Sequence, residues 1–261
     1  MSADGPILAV RELRVEFNLR NGPPRTLVDG MSFEASAGRV LGLVGESGSG
    51  KTMTVRAILG VAPYGTTVRG QVDYRGQSFD GATARGRQLL GREICSVFQD
   101  ARSSLHPTFS IGRQLDWALK RGGIAGKRAR RVAARELLER VGLTGTSHQL
   151  QAYPYEFSGG MCQRVALAIA LAPGPSLLFA DEPTSALDPT IQLQIADLFA
   201  EVARERDLAL ILITHDIRLV SYVADDVAVM YQGTLVEAGT TAEVLVSAKH
   251  DYTRLLLKAT V

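Results

Sequence analysis

Eight residues constrain this 261-residue chain more than any others: Gly45-Glu46-Ser47-Gly48-Ser49-Gly50-Lys51-Thr52 meets the full G-x-x-x-x-G-K-[ST] pattern of a phosphate-binding loop. Three glycines and two small serines let successive backbone N–H groups turn inward around phosphate, and a following helix adds the positive end of its dipole. Lys51 supplies a mobile charge for the outer phosphates, and Thr52 a hydroxyl for magnesium. Such a loop needs a strand before it and a helix after it. Arg39-Val40-Leu41-Gly42-Leu43-Val44 is a short apolar run of the buried-strand type. Thr54-Val55-Arg56-Ala57-Ile58-Leu59 has apolar residues at helical spacing, and Gly60 with Pro63 supplies a stop. A Gly-Ser linker would have flexible polar flanks. These flanks are apolar, which predicts a nucleotide site on an α/β fold.

The rest of the chain fits that class. Residues 7–40 read as β-rich: Leu8-Ala9-Val10-Arg11 and Leu13-Arg14-Val15-Glu16-Phe17 are strand-like, Asn21-Gly22-Pro23-Pro24 is a turn, and Met31-Ser32-Phe33-Glu34 alternates. A second β patch covers residues 70–74. From about 103 to 171 the pattern is helical, broken by Gly122-Gly123 and by a turn-rich stretch at 142–155. Strands then return: Ser176-Leu177-Leu178-Phe179-Ala180 and residues 208–214 are apolar runs with a helical stretch, 191–206, between them. That alternation predicts a parallel sheet with ligand groups at the carboxyl ends of its strands, interrupted by a helical insertion.

Composition excludes several classes. With 46% hydrophobic and 21% charged residues the chain is an ordinary folded protein, not a disordered one. No apolar run approaches the roughly 18–20 residues that cross a bilayer, and the N-terminus lacks the basic and apolar regions of a signal peptide, so a cytosolic chain is expected. Cys95 and Cys162 lack C-x-x-C spacing and read as free thiols. A net charge of +2 does not argue for nucleic acid. The cations that crowd residues 120–140 accompany Val132, Leu137, Leu138 and Val141 near one helical face, without interleaved aromatics, and read as a solvated helix face.

The chemistry-bearing pair is Asp181-Glu182, at the end of the first returning strand. Neighbours on a strand point to opposite sides, so the two carboxylates can do different jobs. Asp181 is placed to hold magnesium near Thr52, as a hard oxygen ligand. Glu182 is placed to orient and deprotonate the water that attacks the terminal phosphate. The alternative, an ordinary exposed acidic pair, loses ground beside a phosphate loop.

Ser158-Gly159-Gly160-Met161-Cys162-Gln163-Arg164 closely resembles the signature motif of ABC-type ATPases. The resemblance extends through nearly the whole chain. Gln99, after Cys95-Ser96-Val97-Phe98, resembles the Q-loop glutamine, Asp181-Glu182-Pro183-Thr184 the Walker B motif with its catalytic glutamate, Ser185-Ala186-Leu187-Asp188 the D-loop, and His215 the switch histidine. Phe17 stands where the family places an aromatic on adenine. The resemblance implies one ABC ATPase domain over 7–261. It comprises a RecA-like P-loop core with an N-terminal antiparallel β subdomain (7–100 and 172–240), an inserted α-helical subdomain (about 101–171) and a short tail (241–261). It implies ATP and Mg2+ as cofactors, with Glu182, His215 and Gln99 catalytic, and Thr52, Gln99 and Asp181 facing the metal. Phe17, Gly45, Ser47, Gly48, Ser49, Gly50, Lys51, Thr52 and Met53 would hold the nucleotide. Ser158, Gly159, Gly160 and Asp188 would act across a head-to-tail dimer on the other subunit's ATP.

Finer features are similar to import ATPases for peptides and nickel. Met161 replaces the family's usual glutamine within Tyr-Glu-Phe-Ser-Gly-Gly-Met, and Gln99-Asp100 is followed by Ser103-Ser104-Leu105-His106-Pro107. His250-Asp251-Tyr252-Thr253-Arg254-Leu255-Leu256 resembles the His-Pro-Tyr-Thr tail of the oligopeptide group, with Asp251 in place of proline. Without the cysteine-containing extension of the longer members, the expected match is the short nickel-type or dipeptide-type subunit. The expected function is the ATP-hydrolysing subunit of an importer for peptides or nickel, peripheral on the cytoplasmic face of the cell membrane. Its expected partners are two transmembrane permease subunits, a second, related ATPase subunit and, indirectly, an extracytoplasmic substrate-binding protein. A coupling segment would run from Gln99 to Leu115, with an apolar groove or simple core packing at Phe98, Leu105, Phe109 and Ile111. The competing classes are a soluble ATPase acting on DNA or the ribosome, which usually carries two cassettes or a long insertion, and a scaffold, which would have lost Lys51, Glu182 or His215.

Overall fold

Strands β1 (Leu8–Phe17) and β2 (Arg25–Ala35) open the chain as an antiparallel pair. β3 (Val40–Val44), α1 (Lys51–Ile58), β4 (Thr66–Tyr74), β5 (Gln77–Ser78), α2 (Ala84–Leu89) and β6 (Ile94–Val97) follow. The helical stretch comprises α3 (Ala101–Ser104), α4 (Ile111–Arg121), α5 (Lys127–Arg140), α6 (Ser147–Gln151) and α7 (Gly159–Leu171). The chain then runs through β7 (Leu177–Asp181), α8 (Pro189–Glu205), β8 (Ala209–Thr214), α9 (Ile217–Val223), β9 (Asp226–Tyr231), β10 (Thr234–Thr240), α10 (Thr241–Val246) and α11 (Asp251–Lys258). This computed structural model describes residues 5–20, 22–184 and 187–258. The expected turn residue Asn21, and Ser185 and Ala186 of the expected D-loop, lie outside the described residues.

Two sheets result. The first is antiparallel in the order β2-β1-β4-β5; the second runs β10-β9-β3-β8-β7-β6, parallel from β9 to β6 with β10 antiparallel at its edge. The two strand-like pieces expected before and after Glu12 are one strand. Glu12 takes φ 48° and the register shifts there against both neighbours, so a bulge absorbs the break in alternation.

The unalternating apolar runs become central strands because both faces of the parallel sheet are covered. Along β7, Leu178 and Ala180 face one core with Val165 and Phe199, while Leu177 and Phe179 face a second with Val55, Ile58 and Leu13. β8 divides likewise, Leu210 and Leu212 against Ile211 and Ile213. The first core continues into the helical stretch through Ile111, Leu115, Leu119 and Leu138, so α4, α5 and α7 are packed on the sheet's own core. α4 ends at Gly122-Gly123 as expected: a Cβ at Gly122 would meet the Pro173 backbone at 2.7 Å, and Gly123 has φ +90°.

The basic segment is largely a solvated face, with two exceptions. Arg130 is buried and donates to Asp116 at 2.6 Å, and Arg140 ties α5 to α8 through Glu201 (2.8 Å) and Glu205 (2.9 Å). Val132, expected on the apolar face, is exposed. Both cysteines are buried and free, and burial pushes the Cys95 thiol up to about 12. Among the described residues no helix is long and apolar enough to cross a membrane.

Candidate functional site

β3 delivers the chain into the phosphate loop, and α1 begins at Lys51. Gly45 is obligatory: a Cβ there would lie 2.1 Å from the Met230 carbonyl oxygen on β9. Gly50 has φ +105°, and a Cβ there would lie 2.8 Å from Leu27 O. Lys51 folds back over the loop, and its Nζ donates to Gly45 O (2.6 Å), Glu46 O (2.9 Å) and Ser49 Oγ (3.3 Å). Its side chain is nearly enclosed. Burial holds this lysine below its ordinary range, against the opposing pull of Glu182, Asp181 and Glu46. The loop is also clamped from outside, where Gly233 N–H donates to Ser49 O at 3.0 Å.

At the carboxyl end of β7, Asp181 Oδ1 accepts from Thr52 Oγ1 at 3.2 Å. Burial raises the Asp181 carboxyl above its ordinary range, with Glu182 adding to the rise and Thr52 and Lys51 opposing it. Glu182 takes φ 49°, a left-handed backbone that a side-chain-bearing residue adopts at a cost of about 1–3 kcal/mol. This turn re-aims the second carboxylate. Instead of facing away from Asp181, as extended neighbours would, Glu182 lines the same cleft. The geometry is over-determined: Glu182 N–H donates to Ile213 O (2.8 Å), Gln163 Nε2 donates to Glu182 O (3.1 Å), and Glu182 Oε1 accepts His215 N–H (3.1 Å) and lies 2.7 Å from His215 Nδ1.

One cleft of about 960 Å³ therefore gathers Ser47, Gly48, Gly50, Lys51, Thr52, Met53, Gln99, Asp181, Glu182 and His215. Gly45 and Ser49 act from behind it, holding the Lys51 ammonium. The signature residues are elsewhere. Ser158, Gly159, Gly160 and Asp188 line a second cleft of about 560 Å³, which among the described residues shares no lining residue with the first. Ser158 Oγ caps α7 by accepting Met161 N–H (3.3 Å), and Asp188 Oδ1 caps α8 by accepting Ile191 N–H (3.1 Å). Phe17 is half-buried and pairs with Arg25, which lines the first cleft, but Phe17 itself is not in that lining.

A separate groove of about 780 Å³ is lined by Phe98 and Leu105 as expected, together with Trp117, Lys120 and Arg121. Ile111 is core instead. Phe109 lies outside the groove lining, its ring against His106 (4.3 Å) and Trp117 (4.7 Å). Sequence reasoning missed Gln163, although it lies inside the signature string, because its partner is a backbone carbonyl on another element. It also missed Arg25, Leu27, Gln232 and Leu256 in the cleft wall, which reach it only through tertiary packing.

The sequence model of the family described as ABC transporter matches residues 28–185. The chain is 41% identical to the dipeptide transport ATP-binding protein DppD of Escherichia coli K12, over 97% of this chain and 78% of that protein. It is also 41% identical to the oligopeptide transport ATP-binding protein OppD of Bacillus subtilis, over 96% of this chain and 71% of that one. Among solved structures, it is similar to cbiO1 from Clostridium perfringens, part of the ABC transporter complex cbiONQ (TM-score 0.75, 26% identity, 94% and 92% of the two chains). The fold is also that of the dimeric ATP-binding cassette MJ0796 bound to ADP and Pi (TM-score 0.78, 22% identity, 90% and 98%). A phosphate loop closed over a buried lysine, two carboxylates turned into one cleft, and these likenesses agree: the chain belongs to the ABC transporter family, as one of its ATP-binding proteins.

Proposed function

We propose that this chain is the ATP-hydrolysing subunit of a peptide importer, working at the cytoplasmic face of the cell membrane with two permease subunits and a second, related ATPase. The observation that carries the reading is the separation of the two anion-recognising ends. Lys51 and Ser158 line different clefts, which supports a nucleotide on one subunit's Lys51 being met by another subunit's Ser158. The names of the relatives at 41% identity support peptides over nickel as cargo. An extracytoplasmic binding protein would deliver it. The division into a core with its β subdomain (7–100 and 172–240), a helical subdomain (about 101–171) and a tail is part of this proposal.

On ATP binding, the Lys51 ammonium exchanges the Gly45 and Glu46 carbonyls for phosphate oxygens, and the first turn of α1 adds its N–H groups. Thr52 Oγ1 and Asp181 Oδ1, with Gln99 on the same cleft, form a hard oxygen set that fits Mg2+, which when bound offsets charge on the phosphates. Glu182 accepts a proton from water as the water oxygen bonds to the terminal phosphorus and the bond to the ADP oxygen breaks. The exposed His215 ring first leaves Glu182 Oε1, which opens that oxygen to the water and lets the imidazole reach the terminal phosphate. Phe17, at the end of β1 beside the cleft wall, is proposed to meet the adenine.

The test is Mg2+-dependent ATPase activity of the chain alone and co-expressed with its permease and ATPase partners, for wild type and Glu182→Gln. Strong stimulation on assembly, lost in the variant, is expected. Full activity of the isolated chain, indifferent to membrane partners, would instead favour a soluble ATPase. Further stimulation by a peptide-loaded binding protein, and none by a nickel-loaded one, is the expected cargo result.

A further inference from the structure

The tail motif around Tyr252 does more than mark a resemblance, because it lies against the phosphate loop. We propose that Tyr252 is a positioning residue for the nucleotide: its hydroxyl fixes the first peptide of the phosphate loop, and α11 forms part of the cleft wall. This inference rests on reading the Lys51 cleft as the nucleotide site.

The peptide between Gly45 and Glu46 is held at both ends. Its carbonyl, Gly45 O, accepts from Lys51 Nζ at 2.6 Å, and its N–H, on Glu46, donates to Tyr252 Oη at 2.9 Å. When Lys51 turns to phosphate the first restraint is released. Tyr252 then holds the peptide plane, and with it the direction in which the following loop N–H groups point. The ring is placed for this task by the core: it stacks on Tyr231, centroids 4.2 Å apart at 28°. Tyr231 ends β9, which pairs with the β3 strand that feeds the loop.

The helix itself is docked firmly. The Glu237 carboxylate on β10 accepts Lys249 N–H (2.8 Å) and His250 N–H (3.1 Å) just before α11 begins. Four residues beyond Tyr252, hence on the same helical face, Leu256 lines the nucleotide cleft. α11 therefore touches the site at two points, one polar and one apolar.

Tyr252→Phe removes the oxygen and keeps the ring. On the full 261-residue chain, titration calorimetry with MgATP is compared for wild type, Tyr252→Phe and Lys51→Ala, with steady-state ATPase kinetics and melting temperature for the first two. Loss of one hydrogen bond should weaken ATP binding about fivefold and raise KM by the same factor, with kcat within about twofold and Tm within about 2 °C of wild type. Wild-type affinity in Tyr252→Phe while Lys51→Ala loses binding would overturn the positioning role and leave the site intact. A variant whose Tm and kcat fall together at constant KM would show a packing role and overturn it equally. Wild-type ATP affinity in Lys51→Ala would remove the site reading on which the inference stands.

Discussion

Gln163→Met tests whether α7 holds the proposed catalytic base in place. Gln163 is 3% exposed, and its Nε2 donates to Glu182 O at 3.1 Å while Glu182 sits at φ 49°. Methionine nearly matches glutamine in volume, so packing is kept and only the donor is lost. Loss of this hydrogen bond costs about 0.5–1.5 kcal/mol, and at roughly 2–4 °C per kcal/mol for a chain of this size Tm should fall by about 1–6 °C. The functional effect should be larger. A left-handed residue released from one of its restraints relaxes, and a carboxylate displaced by about 1 Å loses about a hundredfold in rate. We expect kcat to fall about 10- to 100-fold in the assembled transporter, with KM for ATP within about twofold, because Gln163 lines no part of the nucleotide cleft. The decisive assay is a double-mutant cycle with Glu182→Gln. If Gln163 acts through Glu182, adding Gln163→Met to that variant costs no further rate. An equal loss in both backgrounds would refute the reasoning.

Gly45→Ala should cost about 1–3 kcal/mol of stability and at least tenfold in ATP affinity, since the new Cβ would lie 2.1 Å from a backbone oxygen that cannot yield; wild-type binding by calorimetry would contradict this. Asp181→Asn should raise Tm of the nucleotide-free chain at pH 7 while lowering ATPase activity. The folded chain binds the raised Asp181 proton more tightly than the unfolded chain does. The ionised form therefore subtracts stability above the folded value, a loss relieved as pH falls through that value towards the ordinary carboxylate range. The variant should flatten this stretch of the Tm-versus-pH curve, and an unchanged slope would speak against the burial cost. Ser158→Ala should lose the α7 cap, about 1 kcal/mol, and at least tenfold in assembled ATPase activity. ATP binding by the isolated chain should stay within about twofold, and equal damage to both would count against a role across the dimer.

The phosphate loop, the β-α-β alternation and the helical interruption were legible because each is written locally: glycines where a loop must turn, apolar runs where a strand is covered on both faces, helical spacing where one face is buried. Lys51, Asp181 and Glu182 were legible for the same reason, since loop and strand end carry them in contiguous motifs. Local pattern failed where distance in sequence had to be closed. Two strand-like pieces around Glu12 merged into one because a bulge can absorb a broken alternation. Arg130 and Arg140, read as part of a solvated face, found Asp116 and Glu201 on other helices. The rule that strand neighbours face opposite ways did not hold at Glu182, whose backbone leaves the strand there. Sequence by itself thus determined the elements, the family and the identity of the chemical groups, because these depend on residue type and short-range spacing. Tertiary structure alone decided that Gln163 grips Glu182 and that Tyr252 reaches Glu46 across 206 residues, because each depends on how separate elements are packed.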